Sequence, residues 1–335
     1  MAELENGGKE AIKARACAAI DQRREDLIEL ASSVLRQPEL GFKESRTARV
    51  VAERFGRLGL PFREGLAITG VKATLHGARP GPTLAILGEL DAVVVSDHPY
   101  ADPETGAAHA CGHNGQIAAL VGVAAGLVAA EAAAHLAGKV VFFAVPAEEL
   151  VELEYRRQLR REGRIEFLGG KPELVRLGEF DDVHLAMMTH MTSSPSDGKA
   201  CLPSTSNGVL VKVVRYLGRA AHAGGAPHQG VNALYAANLA LSAINAIRET
   251  FRDEDTVRVH PIITKGGELV NVIPADVRLE TYVRGKTVAA IEDANRKVDR
   301  ALKAGALGVG GKVHISTLPG YMPLVTNQAL ADVFR

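Results

Sequence analysis

The sequence predicts an α/β fold, with a mostly parallel sheet in the first part of the chain and a smaller α+β domain after it. Two observations support this prediction. Up to about residue 205, short apolar runs alternate with helical segments, an order typical of parallel sheets. Beyond that point the elements follow the order β-α-β-β-α-β, which is typical of a compact split domain. The length of 335 residues also suggests about two domains.

In the first part, apolar residues at helical spacing predict the helices, and short apolar runs predict the strands. Helices are expected at residues 10–36 and 46–58, after a capping residue Asn114, and within the charged residues 150–178 with a break at Gly169-Gly170. Strands are expected at residues 83–88, 139–145 and 183–188.

In the second part, alternation of apolar and polar residues predicts the strands, and apolar residues at helical spacing predict the helices. The expected order is a strand from residue 209, a helix over 231–251, strands near 257–264 and 275–284, a helix over 287–303 and a strand over 312–317.

Composition narrows the classes of function. Lys and Arg together number 39, as do Asp and Glu, so the net charge of zero argues against nucleic acid or an anionic membrane surface as the main partner. The 3 cysteines, Cys17, Cys111 and Cys201, cannot form a disulfide framework, which favours a reducing compartment. Since no secretory pattern or bilayer-length apolar stretch is present, we expect a cytoplasmic protein.

Polar side chains gather where the predicted strands of the first part end. Glu89 and Asp91 follow one strand, Glu148 and Glu149 the next, and His190 the third. Because the carboxyl ends of parallel strands meet at one edge of a sheet, these groups should converge there. The preceding loop adds the alternating side chains of His109, Cys111 and His113.

Thiolate, imidazole and carboxylate together favour Zn²⁺ or a similar transition ion, and a set of four or five suits a pair of ions. One carboxylate of the Glu148-Glu149 pair can bind metal while the other takes a proton from water. The residues alone also allow a solvated helix start for the Glu pair and a hydrogen-bonded core histidine for His190.

Three residues of the second part are candidates for contact with a substrate. His222, in a Gly-rich turn, can donate a hydrogen bond to a developing oxyanion or be a structural loop histidine. Asn271 is a polar position beside a strand. Arg284 can clamp a carboxylate or lie on the wet face of the sheet.

The motifs occur in the order of a known family. They are PELGFKE (38–44), ELDA (89–92), HACGHN (109–114), PAEE (146–149), His190, the segment from Gly218 to His222, and NVIP (271–274). Over most of its length the chain therefore resembles the metallo-amidohydrolases related to aminoacylase, hippurate hydrolase, aminobenzoyl-glutamate hydrolase and the auxin-conjugate hydrolases.

The resemblance implies a di-metal catalytic domain with an inserted lid domain that often mediates dimerisation. By motif position, Cys111, His113, Glu149 and His190 resemble the ligands of two divalent ions, Zn or Mn. Glu148 resembles the general base, Asp91 the acid that orients the metal site, His222 the lid histidine that stabilises the tetrahedral intermediate, and Asn271 a substrate-binding lid residue.

On the same basis, residues 1–205 are expected to form the first part of the catalytic domain and residues 206–318 the lid. Residues 319–335 would begin the returning catalytic segment. Two departures follow from the comparison of motifs. Asn114 stands where many relatives carry Asp, and no histidine follows the lid to match the family's final ligand, so the second metal site is expected to be incomplete.

The leading hypothesis is a metal-dependent hydrolase of N-acyl amino acids or dipeptide-like amides, dimeric through the lid, with no nucleic-acid or membrane partner. One alternative is a thiol hydrolase with Cys111 as nucleophile and a nearby histidine as base. Another is a catalytically impaired fragment that keeps the fold and the dimer surface.

Overall fold

The structure is a computed structural model that describes residues 2–198, 200–202 and 205–334, with side chains from residue 8. Contacts divide the chain between Asp197 and Gly198 into two compact units, called unit 1 and unit 2 below. Among the described residues, no helix combines the length and the apolar character needed to cross a membrane.

Unit 1 contains helices and strands in alternation. In chain order these are α1 (Ala2–Gln22), α2 (Arg24–Leu35), α3 (Ser45–Arg57), β1 (Phe62–Leu66), β2 (Gly70–His76), β3 (Arg79–Glu89), β4 (Val93–Val94), β5 (Ala107–Ala108), α4 (His113–Ala129), β6 (Ala137–Val145), α5 (Leu153–Arg161), α6 (Gly170–Arg176) and β7 (Leu185–Met188).

The main sheet of unit 1 is mixed. Its strand order is β1-β2-β6-β3-β7, and β3 runs parallel to both β6 and β7 while β2 is antiparallel to β1 and β6. The α/β class is therefore confirmed, and the parallel part is its β6-β3-β7 side. Glu89 pairs with Val145, and Leu87 with Met188, so these three strands end at the same edge.

Alternating side chains of the central strand β6 fill the two faces of this sheet. Phe142 packs against Phe55 of α3, with ring centroids 6.1 Å apart, in the core formed with α2 and α4. Phe143 faces the opposite side and stacks on Phe180 at 5.3 Å. One face of α3 packs against this core because its apolar residues recur at helical spacing. They are Ala48, Val51, Ala52 and Phe55.

Several local predictions in unit 1 were wrong. The helix expected over residues 10–36 is two helices that meet at Arg23. Asn114 does not cap α4: the helix begins at His113 after Gly112, which has the left-handed φ of 87°, and the Asn114 side chain donates to the carbonyl of Ala31. The hairpin β1-β2 was not predicted, because β1 is exposed and has no apolar alternation.

Unit 2 has the predicted β-α-β-β-α-β order with small additions. Its elements are β8 (Thr205–Ser206), β9 (Gly208–Leu217), α7 (Ala233–Ala246), β10 (Arg258–Val259), β11 (Ile262–Lys265), β12 (Asp276–Gly285), α8 (Val288–Val309), β13 (Lys312–Tyr321), β14 (Leu324–Val325) and α9 (Gln328–Phe334). The sheet order is β10-β12-β9-β13, with β11 also paired to β12.

Alternation places the unit 2 core on one face of this antiparallel sheet. In β12, Val277, Leu279 and Val283 are buried, and they pack with residues of α7 and α8. Tyr216 of β9 is also buried there, and its hydroxyl donates to the carbonyl of Leu302 at 3.0 Å. The expected domain boundaries stay predictions. They are the boundary between the catalytic domain and the lid at residues 205/206, and the boundary between the lid and the returning catalytic segment at residues 318/319.

Candidate metal centre

The ends of the parallel strands are fixed by one glutamine of α4. The Gln116 side-chain oxygen accepts the backbone N–H of Glu89 at 2.8 Å, and its amide nitrogen donates to the carbonyl of Thr189 at 2.6 Å. Both contacts join residues distant in sequence. Gln116 therefore ties the end of β3 to the segment after β7, which carries His190.

The structure brings Cys111, His113 and His190 together, with one potential ligand atom of each within 4.8 Å of the others. Cys111 Sγ lies 3.4 Å from His190 Nε2. In both histidines Nδ1 faces a carbonyl oxygen, that of Asp91 at 2.8 Å for His113 and that of Met191 at 2.7 Å for His190. Because a carbonyl only accepts, Nδ1 carries a proton in each ring, and Nε2 presents a lone pair when the ring is neutral.

A second group shares His113 and adds Glu89 and Glu148. His113 Nε2 and Glu89 Oε2 lie 3.1 Å apart, yet both atoms, with Asp91 Oδ1, are buried and make no hydrogen bond. Buried polar atoms without partners carry a large desolvation cost. A divalent cation satisfies this S, N and O donor set, so the residues present fit a metal site.

Sequence reasoning missed the ion pair of Lys171 with Glu89 in this cluster. The lysine belongs to α6 and lies 82 residues from Glu89 in sequence, so no local pattern predicts the contact. The sequence places Glu89 at a strand end but assigns it no role. The sequence feature that could have indicated a role for Glu89 is its position two residues before Asp91, at the same strand end.

Glu148 and Glu149 do not occupy equivalent positions. Among the described residues, the Glu148 carboxylate belongs to a potential ligand group and that of Glu149 to neither. Glu149 is held through its backbone: its N–H donates to Asp91 Oδ2 at 2.9 Å, and Arg156 donates to its carbonyl. The expected ligand role of Glu149 stays a prediction.

Burial and neighbouring charges shift the pKa values of the cluster. Burial, together with the negative Glu89, raises the pKa of Glu148 to about 7. Burial acts in the same direction on Glu89, but the His113 ring, 3.1 Å away, and the charge of Lys171 outweigh it and lower the pKa of Glu89 to about 2. A carboxyl group with a pKa near neutrality both accepts and returns a proton at low cost.

In unit 2 the structure brings His222 and Asn271 together, with Asn271 Nδ2 and His222 Nε2 3.2 Å apart. His222 Nδ1 accepts the backbone N–H groups of Gly225 at 2.8 Å and Gly224 at 3.2 Å. In neutral His222 the proton is therefore on Nε2, which makes this atom a hydrogen-bond donor, and Asn271 pairs with it when its amide oxygen faces Nε2.

Arg284 lies apart from this pair. It is near the far end of β12, eight residues after Asp276, which corresponds to roughly 26 Å of extended strand. Its guanidinium group lies over the ring of Tyr282 at 5.3 Å. The substrate-binding role expected for Arg284 stays a prediction.

Comparison with known proteins supplies the family. A family model described as a peptidase dimerisation domain matches residues 207–309. Xaa-Arg dipeptidase of Mus musculus is 30% identical over 97% of this chain and 70% of its own length. An N-acyl-L-amino acid amidohydrolase of Geobacillus stearothermophilus is 26% identical over 91% of this chain and 79% of its own.

A solved structure shares the fold. The YXEP protein of Bacillus subtilis, described as a dinuclear metal binding peptidase from the M20 family, has a TM-score of 0.60 and 20% identity over 94% of this chain and 81% of its own. The fold and the strand-end site define a metallohydrolase class, and the chain belongs to the M20 family of peptidases and amidohydrolases. The predicted family, fold class and hydrolase assignment are confirmed.

Proposed function

We propose that this chain hydrolyses the amide bond of N-acyl amino acids or of dipeptide-like substrates. The observation that carries the proposal is the placement of Glu148, with its pKa raised to about 7, in a group that shares His113 with the Cys111-His190 pair. The names of the relatives, a dipeptidase and an N-acyl-amino acid amidohydrolase, support this substrate class.

Cys111, His113, Glu149 and His190 are the proposed ligands of two divalent ions, Zn²⁺ or Mn²⁺. A bound ion of this kind lowers the pKa of water and polarises a carbonyl group. The Nδ1–H bonds of His113 and His190 hold both rings in the tautomer that ligation requires. Asp91, through its contacts with His113 and Glu149, orients the site.

Glu148 is the proposed general base: it takes a proton from the attacking water and returns it to the leaving amine. His222, with the proton on Nε2, donates a hydrogen bond to the oxyanion, while Asn271 and Arg284 bind the substrate. In this proposal residues 1–205 are the catalytic domain, 206–318 the lid and 319–335 the start of the returning catalytic segment.

A homodimer through the lid is also part of the proposal. The match of residues 207–309 to a peptidase dimerisation domain supports it. So do the exposed apolar side chains of α7 and β11, where Tyr235 is 62% and Ile262 60% exposed. The proposed cellular location is the cytoplasm, because a reducing compartment keeps the exposed Cys17 and Cys201 and the proposed ligand Cys111 as thiols.

Metal analysis of the purified protein, run beside hydrolysis of an N-acyl-amino acid and dipeptide panel, tests the proposal. We expect bound Zn or Mn, hydrolysis of some panel members, and loss of activity on chelation that added metal restores. Hydrolysis that survives complete chelation would instead favour the thiol mechanism of Cys111. Protein that binds no metal and hydrolyses nothing would favour the impaired fragment.

A further inference from the structure

Glu44, in the turn before α3, is a fully buried carboxylate that none of the proposed catalytic roles uses. Its Oε1 accepts the backbone N–H of Ala147 at 2.7 Å, and its Oε2 accepts the hydroxyl of Thr69 at 2.6 Å. Glu44 thus joins the β1-β2 hairpin region to the segment that carries Glu148.

Ala147 is the residue on which this contact acts. Its φ of 50° lies in the left-handed region, which is unfavourable for a residue with a Cβ, so surrounding contacts must hold it there. Its carbonyl also accepts the N–H of Gly170 at 3.0 Å. Because Ala147 directly precedes Glu148, its backbone conformation sets the direction in which the Glu148 side chain leaves the chain.

We propose that Glu44 is a positioning residue for the general base: its side chain is an arm of fixed length that holds Ala147, and thereby directs Glu148 toward His113 and Glu89. This inference rests on the proposed function, in which Glu148 exchanges the proton. It assigns to the PELGFKE motif a role in the geometry of a site more than a hundred residues further along the chain.

The arm acts through its length and hydrogen bonds and does not require a negative charge. When Glu44 is protonated, Oε2–H donates to Thr69 Oγ1 while Oε1 still accepts from Ala147. Glutamine reproduces both bonds, with its oxygen toward Ala147 and its amide N–H toward Thr69. Aspartate keeps the charge but is shorter by one carbon–carbon bond, roughly 1.5 Å, and does not reach both partners.

The test compares Glu44→Asp with Glu44→Gln, and uses Lys43→Ala as the matched control. Lys43 is the neighbouring residue, and its ion pair with Glu152 at 2.7 Å is exposed. Amide hydrogen exchange of residues 147–150 reports on the segment without any need for turnover, and kcat and KM on the panel substrate report on the base.

For Glu44→Asp we expect exchange at the Ala147 amide to rise at least about tenfold and kcat to fall by a similar factor, with KM changed less than about twofold. Glu44→Gln and Lys43→Ala should stay within about twofold of wild type in all three quantities. If no preparation hydrolyses any substrate, the proposed function fails, and the exchange measurement still decides whether Glu44 holds the segment.

Three results would overturn the inference. One is wild-type exchange and kcat in Glu44→Asp. Another is damage by Glu44→Gln equal to that by Glu44→Asp, which would mean that the negative charge is required and that length and hydrogen bonds alone are not enough. The third is faster exchange spread across the whole unit 1 sheet in Glu44→Asp, which would mean that Glu44 only stabilises the fold.

Discussion

The pair Glu148-Glu149 shows how strongly surroundings separate two identical side chains. The Glu148 carboxylate joins a buried cluster and its pKa is raised to about 7, whereas Glu149 is held through its backbone by Asp91 and Arg156. A proton acceptor works best when its pKa is near the working pH, and burial moves the pKa of Glu148 in that direction.

Glu44 gives unit 1 a pH-dependent stability. Burial, aided by the negative Asp91, raises the pKa of Glu44 to about 7. The folded state then holds this proton more tightly than the unfolded chain. The stabilising contribution is fully present below the unfolded pKa, about 4.5, and is lost as pH rises through about 7, a change of up to about 3 kcal/mol.

We predict that the free energy of unfolding of metal-free wild type falls between pH 5 and pH 7.5 by more than that of Glu44→Gln, which cannot ionise. Urea unfolding at both pH values measures the two differences, and their subtraction cancels the other titrating groups. Equal pH dependence in the two proteins would contradict the raised pKa of Glu44.

At this scale the sequence predicts residue types but not orientations. Cys111, His113 and His190 were predicted as neighbours because they follow strand ends or lie in one loop, and the structure groups them. The contacts of Glu44 with Ala147 and of Lys171 with Glu89 span 103 and 82 residues. No local periodicity reports such pairs, so which of Glu148 and Glu149 faces the cluster could not be predicted.

Among the elements, β9, β13 and α8 of unit 2 meet at a buried ammonium group. Lys212 of β9 is 0% exposed and donates to Asp299 of α8 at 2.6 Å and to Thr317 of β13 at 2.8 Å. A buried charge is tolerated only with its partners in place, so removal of one partner costs more than the pair contributes.

We predict that Asp299→Ala, which leaves Lys212 buried without its carboxylate, lowers the free energy of unfolding by about 3–5 kcal/mol. Asp293→Ala on the same helix removes the exposed carboxylate that pairs with Lys297 and should cost at most about 1 kcal/mol. Urea unfolding of both variants measures the difference. If both variants lost an equally small free energy of unfolding, the ion pair of Lys212 with Asp299 would not be a desolvated one.

Element prediction succeeded where burial imposes a period and failed where it does not. The parallel strands β3 and β6 contain buried apolar runs, and the alternation of β12 follows from its single buried face. Exposed β1 carries neither signal. Gly112 begins α4 through its left-handed φ, a backbone property that one glycine in a Gly-rich loop does not reveal.

On the scale of the whole molecule, the proposed catalytic groups are divided between the two units. The potential ligands and Glu148 belong to unit 1, and the His222-Asn271 pair belongs to unit 2. The exposed apolar side chains of α7 and β11 in unit 2 are the proposed contact between two copies of the chain.

We predict a dimer in solution that the combined substitution Leu239→Glu and Ile262→Lys converts to a monomer. These side chains of α7 and β11 are 43% and 60% exposed. Leu307→Lys is the control, since Leu307 is 83% exposed but belongs to α8. Light scattering after gel filtration measures the mass; a wild-type monomer, or a dimer that withstands the double substitution, would contradict this assignment of the surface.

The central claim is that Glu148 moves the proton in a metal-dependent amide hydrolysis. Its most direct test is the rate of hydrolysis of an N-acyl amino acid by wild type and Glu148→Gln, compared at equal bound metal per chain. We predict that Glu148→Gln keeps its metal and loses at least about a hundredfold in kcat. Hydrolysis at the wild-type rate by metal-loaded Glu148→Gln would contradict the claim.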